Sequence, residues 1–345
     1  MINNNNILKW GITMTTIKKV AQLADVSTAT VSHVINETRF VSEETKARVL
    51  NAMEELKYIP NPAAQSLRSQ KTKTIGLLIP ILEDESNNIF FMRVARGVEH
   101  VFRQSGYHIM LGNTNESFEY EMEQIKYYRS RQVDGLIIAP SAGSHENIAE
   151  MIDADCPVVF IDRKPDGVKG DFVLNNGFQG SYDAVKLLID KGHRKIGILS
   201  GLLNLSPGQE RLAGYRKALT DHGIPLDENL ILIGKSSFDS GYEMTRKLTE
   251  HSDVTALFIA SNSIAMGSIG YIQDKGIKVP EELAIIGFDN YDWGAVSNPP
   301  LSVIKQSAYE LGAKAAEVLL KKLRNPSNRF KEYRLPTQIV IRNSF

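Results

Sequence analysis

Two groups of residues in this sequence have the types and spacing to do chemistry. The first is compact. Thr28, Ala29, Ser32 and His33 share one side of a helical register, while Val31, Val34 and Ile35 fall on the other. A rigid apolar back with small polar side chains near its N-terminus is what a recognition helix needs to reach base edges in a major groove about 12 Å wide. His33 and Thr28 are the main candidates, Arg39 joins the set, and Ala29 offers only a methyl for apolar contact, such as to a thymine. The second group is dispersed: Asn88, Phe90, Phe91, Asp162, Arg163, Arg211, Phe238, Asn262, Asp289 and Gln306, placed by the ends of short apolar runs. Carboxylates and guanidiniums exchange paired hydrogen bonds with neighbouring hydroxyls, and aromatic rings stack on the C–H faces of a sugar. This is the chemistry of a polyol site, and a purine could also stack there.

The elements that must hold these residues are legible in the pattern. Thr16 is placed to cap a helix carrying Ile17, Val20, Ala21 and Ala24 on one face; Asp25 and Val26 break it, and Ser27 caps the next. Ser42 caps a third, with Glu43 and Glu44 in the first turn where the helix dipole favours anions, and Val49, Leu50, Met53 and Leu56 at helical spacing. Three such helices can bury one core. Pro60 and Pro62 then end one helix and start another, AAQSLRS, barely two turns and too short to be stable alone. From Thr74 the chain alternates β-branched runs (TIGLLIPIL, GYHIMLGN, VDGLIIAPS, CPVVFID, KIGILSG, LILIG, TALFIAS, LAIIGFD) with amphipathic helices over Phe91–Gln104, Glu119–Arg131, Ser181–Lys191, Glu210–His222 and Ser240–His251. That is a doubly wound α/β architecture, and about 270 residues of it suggest two similar lobes, with ligand at the carboxyl ends of the strands.

The segments ATVSHVIN, TRFVSEET and NPAAQSLRS resemble the DNA-binding head and hinge of the lactose-repressor (LacI/GalR) family, the head most closely that of its purine-responsive branch. The resemblance extends from Met14 to Phe345. It implies an N-terminal three-helix helix-turn-helix head plus hinge helix, then a two-lobed periplasmic-binding-protein-like doubly wound domain. The expected boundaries are 1–13 for a tail or mis-assigned start, 14–59 for the head, 60–73 for hinge and linker, and 74–345 for ligand binding and dimerisation. It places chain crossings near Val173–Asn176, Ser302–Gln306 and Arg334–Thr337. It also assigns Leu67 as a wedge into the minor groove, with Arg68 beside it for the groove wall and phosphates; unstacking a base step costs a few kcal/mol, recovered by bending the DNA onto more protein. The cleft set resembles that of ribose- and galactose-type binding proteins, which implies a small sugar. Two departures stand out: Ile89 where relatives often carry proline, and Ser263 where an aspartate is usual.

Composition narrows the function classes. Lys plus Arg equals Asp plus Glu at 40 each, yet nine basic residues face six acidic ones between Met14 and Lys73, a basic head on a mildly acidic body. One cysteine, Cys156, excludes an internal disulfide framework and fits a reducing cytosol. No apolar run approaches the ~20 residues of a membrane span, and the start lacks a signal-peptide pattern, so the expected location is cytoplasmic. Either Met14 is the initiator or residues 1–13 form an asparagine-rich tail. The sequence has no G-x-G-x-x-G, P-loop, H-E-x-x-H, C-x-x-C or G-x-S-x-G, which argues against an enzyme, a cofactor or a metal. A solute-binding protein would share the cleft but have no use for the head. The expectation is a homodimeric repressor, lacking the leucine-rich tail of tetrameric relatives, that reads a pseudo-palindromic double-stranded DNA operator under control of a small effector, a sugar or alternatively a purine corepressor or carrier protein.

Overall fold

A computed structural model describes residues 15–36, 38–59, 71–82, 88–143, 156–165, 167–326 and 329–345. The chain divides after Thr72 into two compact units. The first holds α1 (Ile17–Leu23), α2 (Thr28–Asn36) and α3 (Glu43–Glu55), which bury Val20, Ala21, Ala24, Val31, Val34, Val49 and Ala52 together. Ser27 Oγ accepts from the Thr30 N–H at 3.0 Å, and Ser42 Oγ from the Thr45 N–H, so both hydroxyls satisfy a helix-start donor. Two expectations fail. Thr16 occupies the N-cap position without a side-chain bond, and the turn is closed by Lys19 N–H to Thr16 O at 2.9 Å. Leu50 is 48% exposed, because Val49 and Ala52 set the buried face of α3 and Leu50 lies about 100° round from Val49. The hinge expectation, with Leu67 and Arg68, falls outside the described residues, as does Met14.

The second unit contains two sheets. In lobe 1, β1 (Thr74–Ile79), β2 (His108–Asn113), β3 (Gly135–Ile138), β4 (Val158–Ile161), β5 (Asp171–Asn175) and β11 (Glu332–Leu335) run parallel in the order β11-β5-β4-β3-β1-β2. One face packs on α4 (Asn88–Gln104) and α11 (Ala308–Arg324), the other on α5 (Phe118–Ser130). In lobe 2, β6 (Ile196–Ser200), β7 (Ile231–Ile233), β8 (Ala256–Ile259), β9 (Ala284–Phe288), β10 (Ser302–Lys305) and β12 (Gln338–Val340) follow the order β12-β10-β9-β8-β6-β7, with β12 antiparallel. Here α6 (Gly177–Asp190) and α7 (Ser206–Asp221) cover one face, α8 (Phe238–His251) and α9 (Asn262–Lys275) the other. A short α10 (Asp292–Val296) follows β9. The two strand orders match rank for rank, so β4 and β9 are equivalent. The central strands are buried on both faces, which is why they read as unbroken apolar runs.

Among the described residues the chain passes between lobes three times: after Asn175, after Lys305, and between Leu335 and Gln338. Helices begin earlier than their apolar periodicity. α4 starts at Asn88, three residues before Phe91; α6 starts at Gly177, because Asn176 Oδ1 accepts from the Gln179 N–H at 3.2 Å; and α7 starts at Ser206 with Pro207 in its first turn.

The helix pairs are packed backbone to backbone. A Cβ at Gly267 of α9 would overlap the Phe238 carbonyl of α8, and one at Gly241 the Ile264 carbonyl; Gly97 and Gly312 do the same between α4 and α11. We expect Gly267→Ala to destabilise the second unit by about 1–3 kcal/mol in urea unfolding, since neither backbone can move away without breaking its own ladder. An unchanged midpoint would mean that α8 and α9 are not in backbone contact.

Candidate DNA-binding and effector sites

In the head, Val31 is fully buried and Val34 nearly so, which turns Thr28 and Ala29 to solvent and leaves Ser32 and His33 half-buried beside them. His33 Nδ1 lies 2.7 Å from Thr38 Oγ1, so the ring is oriented and Nε2 is the nitrogen left outside that bond. Ser32 is partly engaged: Asn36 Nδ2 donates to its carbonyl at 2.8 Å and approaches its hydroxyl at 3.3 Å. Arg39 is exposed, and next to it Phe40 is 97% exposed, a residue the sequence reading passed over because it belongs to no periodic face.

In the second unit, the strand ends bring most of the dispersed set together. Asp162 follows β4 and Asp289 follows the equivalent β9, and both adopt the left-handed backbone, φ +64° and +73°. Each is pinned across its sheet, Asp162 N–H to Val173 O at 3.0 Å and Asp289 N–H to Ile304 O at 2.8 Å. Non-glycine residues rarely adopt this conformation, and aspartate tolerates it better than most. Burial raises the pKa of both carboxyl groups; Arg163 and Arg211 oppose that at Asp162, and Arg211 and the Gln306 amide oppose it at Asp289. Arg211 therefore acts on acids from both lobes. Its Nη1 donates to Ala260 O at 2.8 Å, and its guanidinium carbon sits 3.7 Å from the centre of the Phe288 ring. Gln306 Nε2 donates to Asp289 Oδ1 at 2.7 Å.

Arg163 is nearly buried, and its fork is committed. Nη1 and Nη2 grip Glu116 at 2.6 and 2.8 Å, Nη1 also reaches Pro140 O at 2.8 Å, and Nε stands 3.5 Å from Asp162 Oδ2, longer than a good hydrogen bond. Glu116 is carried there by a turn in which Asn115 and Glu116 both have positive φ, +50° and +55°. The Phe91 ring is core, with Arg163 5.7 Å from its centre, and Phe90 meets it edge to face at 5.2 Å. Asn88 is occupied by its own loop: its Oδ1 accepts from Leu82 N–H at 3.0 Å and its Nδ2 donates to Leu82 O at 2.6 Å. Phe238 is not brought to the others. It opens α8, its ring lies over Gly270 of α9 and near Tyr242, and it is 48% exposed, because the missing Cβ at Gly270 leaves a seat there.

Several residues joined to the site had no sequence signal. Arg93 reaches from α4 to the Tyr291 ring, 5.4 Å from its centre, and Tyr291 is buried with a strongly raised pKa. Trp293 Nε1 donates to Asn262 Oδ1 at 3.0 Å. Asn175, 6% exposed at the end of β5, has neither carboxamide atom hydrogen-bonded among the described residues, and the same holds for Asn262 Nδ2 and Arg211 Nε. Buried polar groups without partners are costly, so several at the strand ends mark where a polar ligand or water belongs. Three guanidiniums, of Arg93, Arg163 and Arg211, stand beside three acids, Glu116, Asp162 and Asp289.

Behind the site lies Glu121 of α5, fully buried, whose Oε2 accepts from the Ser141 N–H at 2.6 Å. Desolvation pushes its pKa up to about 7 from an ordinary 4.5, against the Ser141 hydrogen bonds and Arg163.

Two family models match parts of the chain. A model of the lacI family of bacterial regulatory proteins matches residues 16–61, and one of periplasmic binding protein-like domains matches residues 185–345. The HTH-type transcriptional repressor PurR of Vibrio parahaemolyticus serotype O3:K6 is 38% identical over 334 residues, covering 96% of this chain and 98% of its own. The ribose operon repressor of Haemophilus influenzae is 37% identical over 332 residues, with the same coverage. Among solved structures, the lac repressor dimer bound to operator and an anti-inducer superimposes with a TM-score of 0.85 at 27% identity, over 96% of this chain and 98% of that one. A complex of the transcriptional regulator CelR with cellobiose gives 0.72 at 28% identity, over 96% of this chain and 100% of that one. Among the described residues no helix is long and apolar enough to cross a membrane.

Glu121 supplies a pH test. The folded state keeps its proton up to about pH 7, whereas the unfolded chain releases it near 4.5, so stability falls as pH rises between those values and is level above. Glu121→Gln keeps an acceptor for Ser141 and removes the ionisation. Its stability gain should be on the order of 1–3 kcal/mol at pH 8 and vanish as pH approaches 4.5. A gain that does not depend on pH would place the Glu121 pKa in the ordinary range.

Proposed function

The chain belongs to the LacI family of bacterial transcriptional regulators, with a DNA-binding head and an effector domain, and from that premise we propose that it is a homodimeric, cytoplasmic, non-enzymatic repressor controlled by a small neutral sugar. The observation that carries the effector class is the arrangement of Asp162, Arg211 and Asp289: acids from both lobes, in the left-handed backbone, with one guanidinium between their fields. Such a set gives paired acceptors and donors to adjacent hydroxyls of a ligand held between the lobes. Equal numbers of acids and guanidiniums favour a neutral ligand over a sugar phosphate or sugar acid. A planar base finds little to stack on: Phe91 lies beneath Arg163, Phe288 beneath Arg211, and Phe238 rests on Gly270. The name of the Haemophilus relative makes D-ribose the first probe. Purine control, suggested by the PurR relatives, is the competing reading.

Dimerisation is supported by apolar side chains left in water on both lobes. Ile89, Met92 and Leu111 are 45, 53 and 45% exposed, with Leu111 on the edge strand β2; Ile233, Phe238 and Met266 are 47, 48 and 37% exposed, with Ile233 on the edge strand β7. A second copy would cover both edges and set two heads on two half-sites. In this reading Thr28, Ala29, Ser32, His33 and Arg39 face the major groove, and Leu67 and Arg68 serve the minor groove at the operator centre.

Two outcomes are expected. In a thermal-shift panel of pentoses, hexoses, sugar acids, sugar phosphates and purine bases, a neutral sugar at ~100 times its dissociation constant should stabilise the protein by about 2.7 kcal/mol and change operator affinity; a response confined to purines would overturn the sugar assignment. His33→Ala should relax base preference at one position of each half-site at a cost of about 1–3 kcal/mol. A randomised-operator selection returning the wild-type preference would remove His33 from the reading set.

A further inference from the structure

Asn262 opens α9 directly after β8 and is 2% exposed. Its carboxamide has two chemically opposite ends, and one neighbour decides which faces where. The indole N–H of Trp293 can only donate. It meets Asn262 Oδ1 at 3.0 Å, so the carbonyl end is turned to the indole and the amide end away from it. Nδ2, with its two hydrogens, is buried without an acceptor among the described residues. Arg211 Nε is a second buried donor in the same condition.

Trp293 is itself held firmly. It sits on α10, four residues beyond Asp289, in a segment fixed by Gly294 N–H to Tyr291 O at 3.1 Å and by Leu301 N–H to Gly294 O at 2.7 Å. Its ring packs on the lobe 2 core formed with α8 and α9. One short segment thus supplies both the acid Asp289 and the group that orients Asn262.

We propose that Trp293 is a positioning residue of the effector site: its indole N–H holds Asn262 so that both amide hydrogens are presented to the ligand, which makes the end of β8 a subsite for an oxygen that can only accept, the ring oxygen of a sugar. This rests on the cleft being the effector site. Without the indole N–H the amide can turn over and offer its carbonyl instead, which repels the same oxygen. Trp293 never touches the ligand; it selects for it through Asn262.

The test uses the full-length protein. There are two tryptophans, Trp10 and Trp293, so indole-labelled protein gives two resonances, and the one lost in Trp293→Phe is assigned. In the ligand-free protein the Trp293 indole proton should be protected from exchange, and should lose that protection in Asn262→Ala. Trp293→Phe should weaken D-ribose binding, or that of whichever neutral sugar the panel returns, about tenfold, while the ligand-free melting temperature stays within about 2 °C. Asn262→Asp keeps an acceptor for the indole and puts a carboxylate oxygen at the ligand. Its indole proton should therefore stay protected while binding falls further than in Trp293→Phe. An indole signal indifferent to Asn262→Ala, or wild-type sugar affinity in Trp293→Phe, overturns the proposal. If the wild type binds no sugar at all, the sugar reading falls instead, and the exchange measurement alone decides whether Trp293 orients Asn262.

Discussion

Two carboxylates, Asp162 and Asp289, are withdrawn from water at equivalent strand ends of opposite lobes, and their charges have to be answered by something. Arg211 is the shared answer, with Arg163 adding to the field at Asp162 and Arg93 to that at Asp289. Burying ions is expensive unless each is paired and hydrogen-bonded. The pairing here is incomplete, since Arg211 Nε and Asn262 Nδ2 have no acceptor among the described residues. A fold that retains these charges and leaves donors unspent is less stable than an apolar alternative, and a ligand that supplied the missing acceptors would remove that deficit. The rest of the second unit supports this arrangement by keeping the strand ends rigid.

That support comes from duplication. Each lobe ends its fourth strand in an aspartate in the left-handed conformation, whose amide bonds the neighbouring strand. The strain sits in two turns and is held by sheets whose central strands are fully buried and whose covering helices touch through glycines. A loop without such a scaffold would relax, and the carboxylates would return to water.

Much of this was legible in the sequence, and the failures have physical causes. Unbroken β-branched runs gave the parallel strands, and Asp162, Arg211, Asp289 and Gln306 followed because strand ends converge in any open α/β sheet. Leu50 was misplaced since a single apolar residue 100° off the stripe does not alter the pattern's period. The seat of the Phe238 ring is set by Gly270 on another element, which spacing along the chain does not show. Glu116, Arg93 and Trp293 carried no signal: each reaches the site from a turn, a helix flank or a short helix, by contacts between elements far apart in sequence. The hydrogen bonds of Asn88 to Leu82 and of Arg163 to Glu116 depend on loop geometry that spacing does not encode.

Coupling between effector and DNA then becomes a question of what differs between lobe arrangements. Any change in the angle between lobes must be absorbed at three crossings, beyond Asn175, Lys305 and Leu335, and it stretches the contacts that already span the lobes. Among them are Lys164 N–H to Ser206 Oγ at 2.9 Å, the Arg334 to Glu210 pair at 2.8 Å, and Arg93 over Tyr291. The ion pair is partly exposed and weak by itself, so these contacts define geometry more than they set energy. A ligand that satisfies Asp162 from one lobe and Asp289 from the other binds one arrangement better than another, and a difference of only 1–3 kcal/mol suffices for regulation. β1 begins at Thr74, two residues beyond the end of the first unit, so in sequence the head is joined directly to the central strands of lobe 1.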